Sequence, residues 1–363
     1  LAPIEPPRVA VFVSPHGFGH AARASAVMEA LHRRTGALFE LFTTAPPWFF
    51  EESVGGLYQA HPVVTDVGFF QVSALAFDVG STVSAVEAMV PFDEGLVAEL
   101  ADRVRRTGCR FVLCDIAPLG IAVAERAGVP SVLVQNFTWP WLYEPLLDEA
   151  PGLRPLAAEL DRWFGRATHH LLAEPFCTRD PRAHGTVLPV SRPARRTRED
   201  LRGDMGLSPD QPVVVLTMGG FTEEMPFLDG LRAQADTTFL VTGGARTEVR
   251  GNVRLFDQGT RLYMPDLVRT ADAVVAKLGY STVAEVWREG RPLAVVTRAD
   301  FRETAPLRDW VAARLPGFEI PGADFAAGEW IEAVPSLLSG PLAPRQPFGG
   351  AEQVADYVVD KVL

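Results

Sequence analysis

The sequence predicts an α/β protein built from two domains, each with a parallel sheet. Two observations carry this. Short apolar runs alternate with helix-period stretches, and the alternation restarts after a basic, proline-containing segment near residues 190–205. Runs apolar at every position are what strands need when helices cover both faces of a sheet. Strand–helix alternation of this kind is the pattern of parallel sheets. The chain has 363 residues, enough for about two domains with real cores.

In the first half, Arg8–Ser14, Phe39–Thr43, Phe111–Cys114 and Ser131–Gln135 read as strands. Ala21–Arg34, Val97–Arg106 and Ile121–Ala127 read as helices between them. Pro189–Ala194 carries Pro and Arg and reads as linker. A capped helix follows at Thr197–Met205. Pro212–Thr217, Thr238–Thr242, Val253–Phe256, Ala273–Ala276 and Leu293–Thr297 are the strands of the second half. Ligands of parallel α/β sheets sit at the carboxyl ends of the strands. That rule selects four loops: Ser14–His20, Asp115–Pro118, Met218–Thr222 and Lys277–Thr282. Two such halves joined by a linker predict a cleft between them.

Composition narrows the function. Hydrophobic residues make up 47% and charged residues 22%, an ordinary globular balance. The net charge of −11, with no dominant basic block, argues against nucleic acid as main partner. Cys109, Cys114 and Cys177 fit neither a zinc knuckle nor a CxxC pair, and read as reduced thiols of a cytoplasmic protein. No apolar run is long enough for a transmembrane segment, and residues 1–7 lack the pattern of a signal peptide. The carboxylates are scattered and no His-x-x-x-His pair occurs, so no metal site is expected. A Gly-x-Ser-x-Gly elbow is absent too.

Three places carry chemistry. Ala276-Lys-Leu-Gly-Tyr-Ser-Thr-Val-Ala-Glu285 reads as strand end, glycine turn and helix start near Ser281. Unpaired N–H groups and the helix dipole there favour an anion. Ser281 and Thr282 can cap or donate to phosphate oxygens, Lys277 adds charge, and Glu285 lies one turn in, where it could accept from ribose hydroxyls. The plain alternative is a capped helix with a solvated Glu285. No Walker loop precedes it. The second place is His16-Gly-Phe-Gly-His20 after the first strand. Its third dinucleotide glycine is missing, and either imidazole is a candidate general base. Asp115, ending the Phe111–Cys114 run, is placed to orient such a histidine; a turn or cap aspartate is the alternative. The third is the aromatic set Phe69, Phe70, Phe137, Trp139, Trp141 and Tyr143, either a platform for a ring-bearing ligand or core packing.

These residues resemble the GT-B glycosyltransferases. Lys277-Leu-Gly-Tyr-Ser-Thr-Val-Ala-Glu285 is similar to the plant UDP-glycosyltransferase signature His-Cys-Gly-Trp-Asn-Ser-x-x-Glu, with Lys277 in place of the phosphate-binding His. The matching region of the peptidoglycan N-acetylglucosaminyltransferase is similar as well. The non-kinase N-terminal region of plant L-arabinokinases and bacterial relatives resembles the chain most widely. Four pieces match it: His16–Ala21, Gln135–Trp139, Tyr263–Leu267, and Lys277–Glu285 with Arg298–Glu303. The kinase half has no counterpart, so arabinose phosphorylation is not implied.

The resemblance implies a GT-B fold: an acceptor domain at 1–192, a donor domain at 193–345, and a C-terminal helix at 346–363 packing back toward the first. It implies that Gly279, Ser281 and Thr282 meet the donor diphosphate and Glu285 the ribose. Gly219 and Gly220 approach the phosphates, and Tyr263 and Met264 hold the base. Arg302 and Glu303 stand where the family's sugar-holding Asp-Gln pair lies, without matching it. His20 is the implied base and Asp115 its partner. His16, Phe18, Phe70, Gln71, Asn136, Phe137 and Trp139 are expected on the acceptor side. The expected activity is metal-independent, inverting transfer of a sugar from a nucleoside diphosphate sugar, UDP first among them, to a hydroxyl of a natural product or nucleoside-like acceptor. The donor is a co-substrate, no cofactor is expected, and the protein is a monomer or homodimer. A nucleotide-sugar 2-epimerase and a binding-only module are the alternatives.

Overall fold

The computed structural model describes residues 5–71, 76–219, 225–257, 259–299 and 301–363. They divide into two compact units. The first holds residues 5–71, 77–192 and 349–363; the second is built on 193–348.

The strands of the first unit are β1 (Arg8–Val13), β2 (Leu38–Phe42), β3 (Tyr58–His61), β4 (Phe70–Gln71), β5 (Phe77–Asp78), β6 (Cys109–Asp115), β7 (Ser131–Gln135), β8 (His169–Ala173) and β9 (Gly185–Val187). Seven form one sheet in the order β3-β2-β1-β6-β7-β8-β9, with every pair parallel. β4 and β5 pair separately and antiparallel. The central strands are buried from end to end because helices cover both faces. The helix Phe18–Thr35 buries every residue from His20 to Met28, then Ala30 and Leu31, so its first half is covered on all sides. It ends at Gly36, which takes the left-handed conformation a Schellman-type stop requires.

The last helix, Gly350–Lys361, belongs to this unit. It packs against Phe18–Thr35 and contributes Val354, Ala355 and Val358 to the same core. Gly350 N–H donates to the Pro189 carbonyl at 2.9 Å. A Cβ on Gly350 would fall 1.9 Å from the Leu188 carbonyl oxygen, so the two backbones touch only because the side chain is absent. Gly350→Ala should therefore lower stability by about 1–3 kcal/mol through overpacking. A urea midpoint equal to wild type would show that this contact relaxes freely.

The second unit contains β10 (Val213–Thr217), β11 (Thr238–Gly244), β12 (Glu248–Arg250), β13 (Val253–Asp257), β14 (Ala273–Lys277), β15 (Leu293–Thr297) and β16 (Gly317–Pro321). Their order is β12-β13-β11-β10-β14-β15-β16, parallel except for β12 at the edge. Both sheets are doubly wound about their first strand. The order reverses between β1 and β6 in one and between β10 and β14 in the other, and a crevice opens at such a reversal.

Several elements escape the sequence pattern. β3 reads Tyr-Gln-Ala-His and β8 starts His-His, polar stretches that β pairing at or near the sheet edge tolerates. The helices Pro47–Val54, Val79–Met89 and Leu153–Phe164 also go unpredicted. Among the described residues, no helix is long and apolar enough to cross a membrane.

Candidate active site

In the first unit the reversal point gathers a buried charged group. β1 ends at Val13, in register with Asp115 at the end of β6. Gly17, at φ +78°, turns the chain into the helix that starts at Phe18, three residues earlier than its apolar pattern suggests. His20 and Arg23 then lie one turn apart on the same helix face, toward Asp115. His20 Nδ1 is 2.9 Å from Asp115 Oδ1. Arg23 grips the same carboxylate twice, Nε to Oδ2 and a terminal nitrogen to Oδ1, both at 2.7 Å. All three residues are buried.

Burial by itself would raise the Asp115 carboxyl. The Arg23 charge and the hydrogen bonds from His20 and Arg23 outweigh it and hold the group below the usual carboxylate range. Asp115 is thus an anion that can only accept. It draws the imidazole proton to Nδ1 and leaves the Nε2 lone pair available. Ile116, the next residue, sits at φ +51°, a conformation costly for a β-branched side chain and held here beside the carboxylate.

The acceptor-side residues separate. His16 packs edge-on to Trp139 at 5.6 Å. Phe137 meets both His20, at 6.2 Å, and Trp139, at 5.4 Å. Trp139 is 1% exposed, so it is a wall behind the histidines and not an open platform. Asn136 is buried and its amide donates to the Ala173 and Pro175 carbonyls at 2.6 and 3.0 Å, which makes it a loop brace. Phe18 stacks on Phe49 at 5.3 Å and joins the core. Phe70 is 54% exposed. Gln71 lies in β4, with its side chain outside the described residues, and Gly220 is outside them altogether.

The sequence reading passed over two members of this group. Arg23 carried a usable signal, a cation three residues after His20 on one helix. Asp66 carried none. It is 3% exposed, and its partner Trp139 is 73 residues away.

In the second unit, β14 ends at Lys277 and the helix runs from Tyr280 to Glu289 with Gly279 as N-cap. Ser281 and Thr282 therefore do not cap. They sit inside the first turn, and the N-cap residue, Gly279, has no side chain to cap the helix. The first intrahelical bond there is Val283 N–H to the Gly279 carbonyl, so the N–H groups of the preceding turn have no carbonyl within the helix. Gly219, at φ +78° after β10, lies next to Lys277; a Cβ there would be 3.5 Å from Nζ. The loops after β10 and β14 thus meet at this sheet's reversal point. Glu285 is 2% exposed, which excludes the solvated carboxylate.

Around this start, Glu303 pairs with Arg298 at 2.6 Å, and Arg298 lies over the Phe301 ring at 3.5 Å. Glu303 is committed to its neighbour, while Arg302 beside it is half-buried. Tyr263 caps the helix Met264–Thr270, donates its hydroxyl to the Pro193 carbonyl at 3.0 Å, and carries the Arg195 guanidinium over its ring at 4.2 Å. Among the described residues, no group of three or more His, Cys, Asp or Glu is arranged to hold a metal. Cys109 and Cys114 are free and buried, and burial pushes the Cys109 thiol up to about 11, as expected of inert thiols.

Known structures share this fold. The glycotransferase of kitacinnamycin superposes with a TM-score of 0.67 at 16% identity, covering 99% of this chain and 100% of that one. The fold is GT-B. UGT2 of Phytolacca americana, solved with UDP-2fluoro-glucose and pterostilbene, shares this GT-B architecture with a TM-score of 0.62 at 14% identity, covering 98% and 94% of the two chains. In sequence, the L-arabinokinase of Arabidopsis thaliana is 28% identical over 331 residues, which are 88% of this chain and 31% of that protein. The GT-B chain thus spans about a third of that relative. No family model matches it.

Proposed function

We propose that the chain is a metal-independent, inverting glycosyltransferase that moves a sugar from a nucleoside diphosphate sugar, with UDP as the first candidate carrier, to a hydroxyl of a small ring-bearing acceptor. The observation that carries this reading is the buried His20–Asp115 pair at 2.9 Å, with Nε2 left as the base. The GT-B fold and the uncapped helix start beside Lys277 support it.

In this mechanism His20 Nε2 takes the proton of the acceptor hydroxyl. The oxygen attacks the anomeric carbon from the face opposite the diphosphate. The bond from that carbon to the phosphate oxygen breaks, its electron pair leaves with the nucleoside diphosphate, and configuration inverts. Asp115 stabilises the imidazolium. The N–H groups of Gly279 to Thr282, the Ser281 and Thr282 hydroxyls and Lys277 receive the leaving charge, the role a divalent ion would otherwise take. Glu285 accepts from the ribose. Gly219 lets the phosphates approach closely.

A nucleoside diphosphate at 100 times its Kd should stabilise the protein by about 2.7 kcal/mol, read as a rise in Tm. Screening the diphosphates of uridine, thymidine, guanosine and adenosine identifies the base, and their sugars then identify the donor. Lys277→Ala should weaken that rise while leaving the ligand-free Tm near wild type. No response to any diphosphate overturns the donor site. Conversion of a donor without acceptor would mark an epimerase instead.

A further inference from the structure

Asp66 lies on the loop between β3 and β4, and the proposed chemistry makes no use of it. Its Oδ2 accepts the Trp139 indole N–H at 2.9 Å, and the Ser14 hydroxyl also acts on the carboxyl. The residues around it are tied down one after another. Thr65 donates to the Val13 carbonyl at 2.7 Å, and the Val67 carbonyl accepts from the Tyr143 hydroxyl. Gly68 backs onto the His16 imidazole so closely that a Cβ would fall 2.4 Å from its Cγ. The Trp139 ring in turn meets His16 at 5.6 Å and His20 at 6.0 Å between centroids. The segment 65–68 is a bracket fixed at four successive residues, and both histidines lie against what it holds.

An aromatic wall does not need an acid behind it. An amide would receive the indole N–H without the cost of burying a carboxyl. This carboxyl, at 3% exposure, is instead tied to the ring that touches both histidines. Beside it is a small, partly open and mostly apolar cavity of about 10 Å³, bordered by Asp66, Trp139 and Tyr143.

We propose that Asp66 is a positioning residue for the base: through the indole N–H of Trp139 it sets the wall that orients His20 and His16. The proposal rests on the reading of His20 as the base. The ionisable groups facing Asp66 are Asp115 from the end of β6 and Tyr143 from the helix Trp139–Tyr143. Burial raises the Asp66 carboxyl to about 7; the Ser14 hydroxyl and Trp139 oppose the rise and Asp115 adds to it. The Asp115 charge is itself tied to His20 and Arg23. Asp66 thus gains its negative charge near neutrality, behind the wall that both histidines touch.

Imidazole NMR of the full chain tests this without turnover. Between about pH 5.5 and 8.5, the wild-type His16 and His20 resonances should carry an Asp66-linked inflection near its value of about 7. Asp66→Asn should remove that inflection. Trp139→Phe, which deletes the N–H and keeps a ring, should shift both resonances and leave His32 and His61 unmoved. His16 and His20 signals that overlay wild type in both variants overturn the proposal. If Asp66→Asn does not fold, the Trp139→Phe spectrum decides alone. In the transfer assay, Asp66→Asn should lower kcat about 10- to 100-fold, the cost of a slightly misplaced group, with donor KM kept and the pH profile changed. Unchanged kcat and pH profile count against it equally. A wild-type protein with no transfer activity but with the NMR response refutes the transferase reading and leaves the Asp66 linkage standing.

Discussion

His20→Ala should lower transfer by about 10²–10⁴-fold, the usual worth of a general base, and leave the Tm rise with nucleoside diphosphate intact. The basis is an inference about protons. Asp115 is held below the ordinary carboxylate range by Arg23 and His20 against the pull of burial, so it accepts and never donates. An anionic Asp115 2.9 Å from Nδ1 favours the tautomer that leaves Nε2 for the proposed base role. The proposed diphosphate site lies on a separate loop in the second unit, so removing the imidazole should spare binding. Steady-state rates together with thermal shifts separate the two effects. Near-normal turnover in the variant would move the role to His16, which shares the Trp139 wall.

Arg23→Met should cost about 3–5 kcal/mol, because it leaves a buried carboxylate without its main counter-charge. Arg23 is 5% exposed and contributes two of the hydrogen bonds to Asp115. The pH dependence has a definite sign. The Asp115 carboxyl is depressed in the folded state, so its contribution is complete above its unfolded value of about 3.9 and is lost as pH falls through the lower folded value. Urea unfolding should thus show the largest gap between wild type and variant near neutrality, narrowing in acid. Equal midpoints at pH 7 would mean that Asp115 is not the charge Arg23 neutralises.

The two predictions differ in how visible their residues are. His20 stands beside a glycine turn after an apolar strand, a local pattern. Asp115 ends such a strand, and the carboxyl-end rule selects it. Arg23 meets Asp115 across 92 positions and Asp66 meets Trp139 across 73, and no short window holds either pair. The aromatic run Asn136–Tyr143 shows the opposite failure. Its composition suits an open platform, yet Asn136 and Trp139 are turned inward, because loop carbonyls and a buried acid claim their polar groups. Edge strands such as β3 were illegible for a related reason. Their stability comes from backbone pairing with a neighbour, which leaves the side chains free to be polar.

The helix start after β14 shows how far local signals reach. Ser281 and Thr282 are good capping residues, but β14 ends at Lys277 and the helix begins at Tyr280, which puts both in the first turn. Chain-local chemistry determined the α/β class, the central strands, the loops at their carboxyl ends and the choice of His20. The tertiary structure alone decided which distant groups share one carboxylate, which aromatics face inward, and that a second acid is buried against the Trp139 indole. Periodicity and turn propensity act between neighbours along the chain. Ion pairing and desolvation act through space, and strand order sets what meets there.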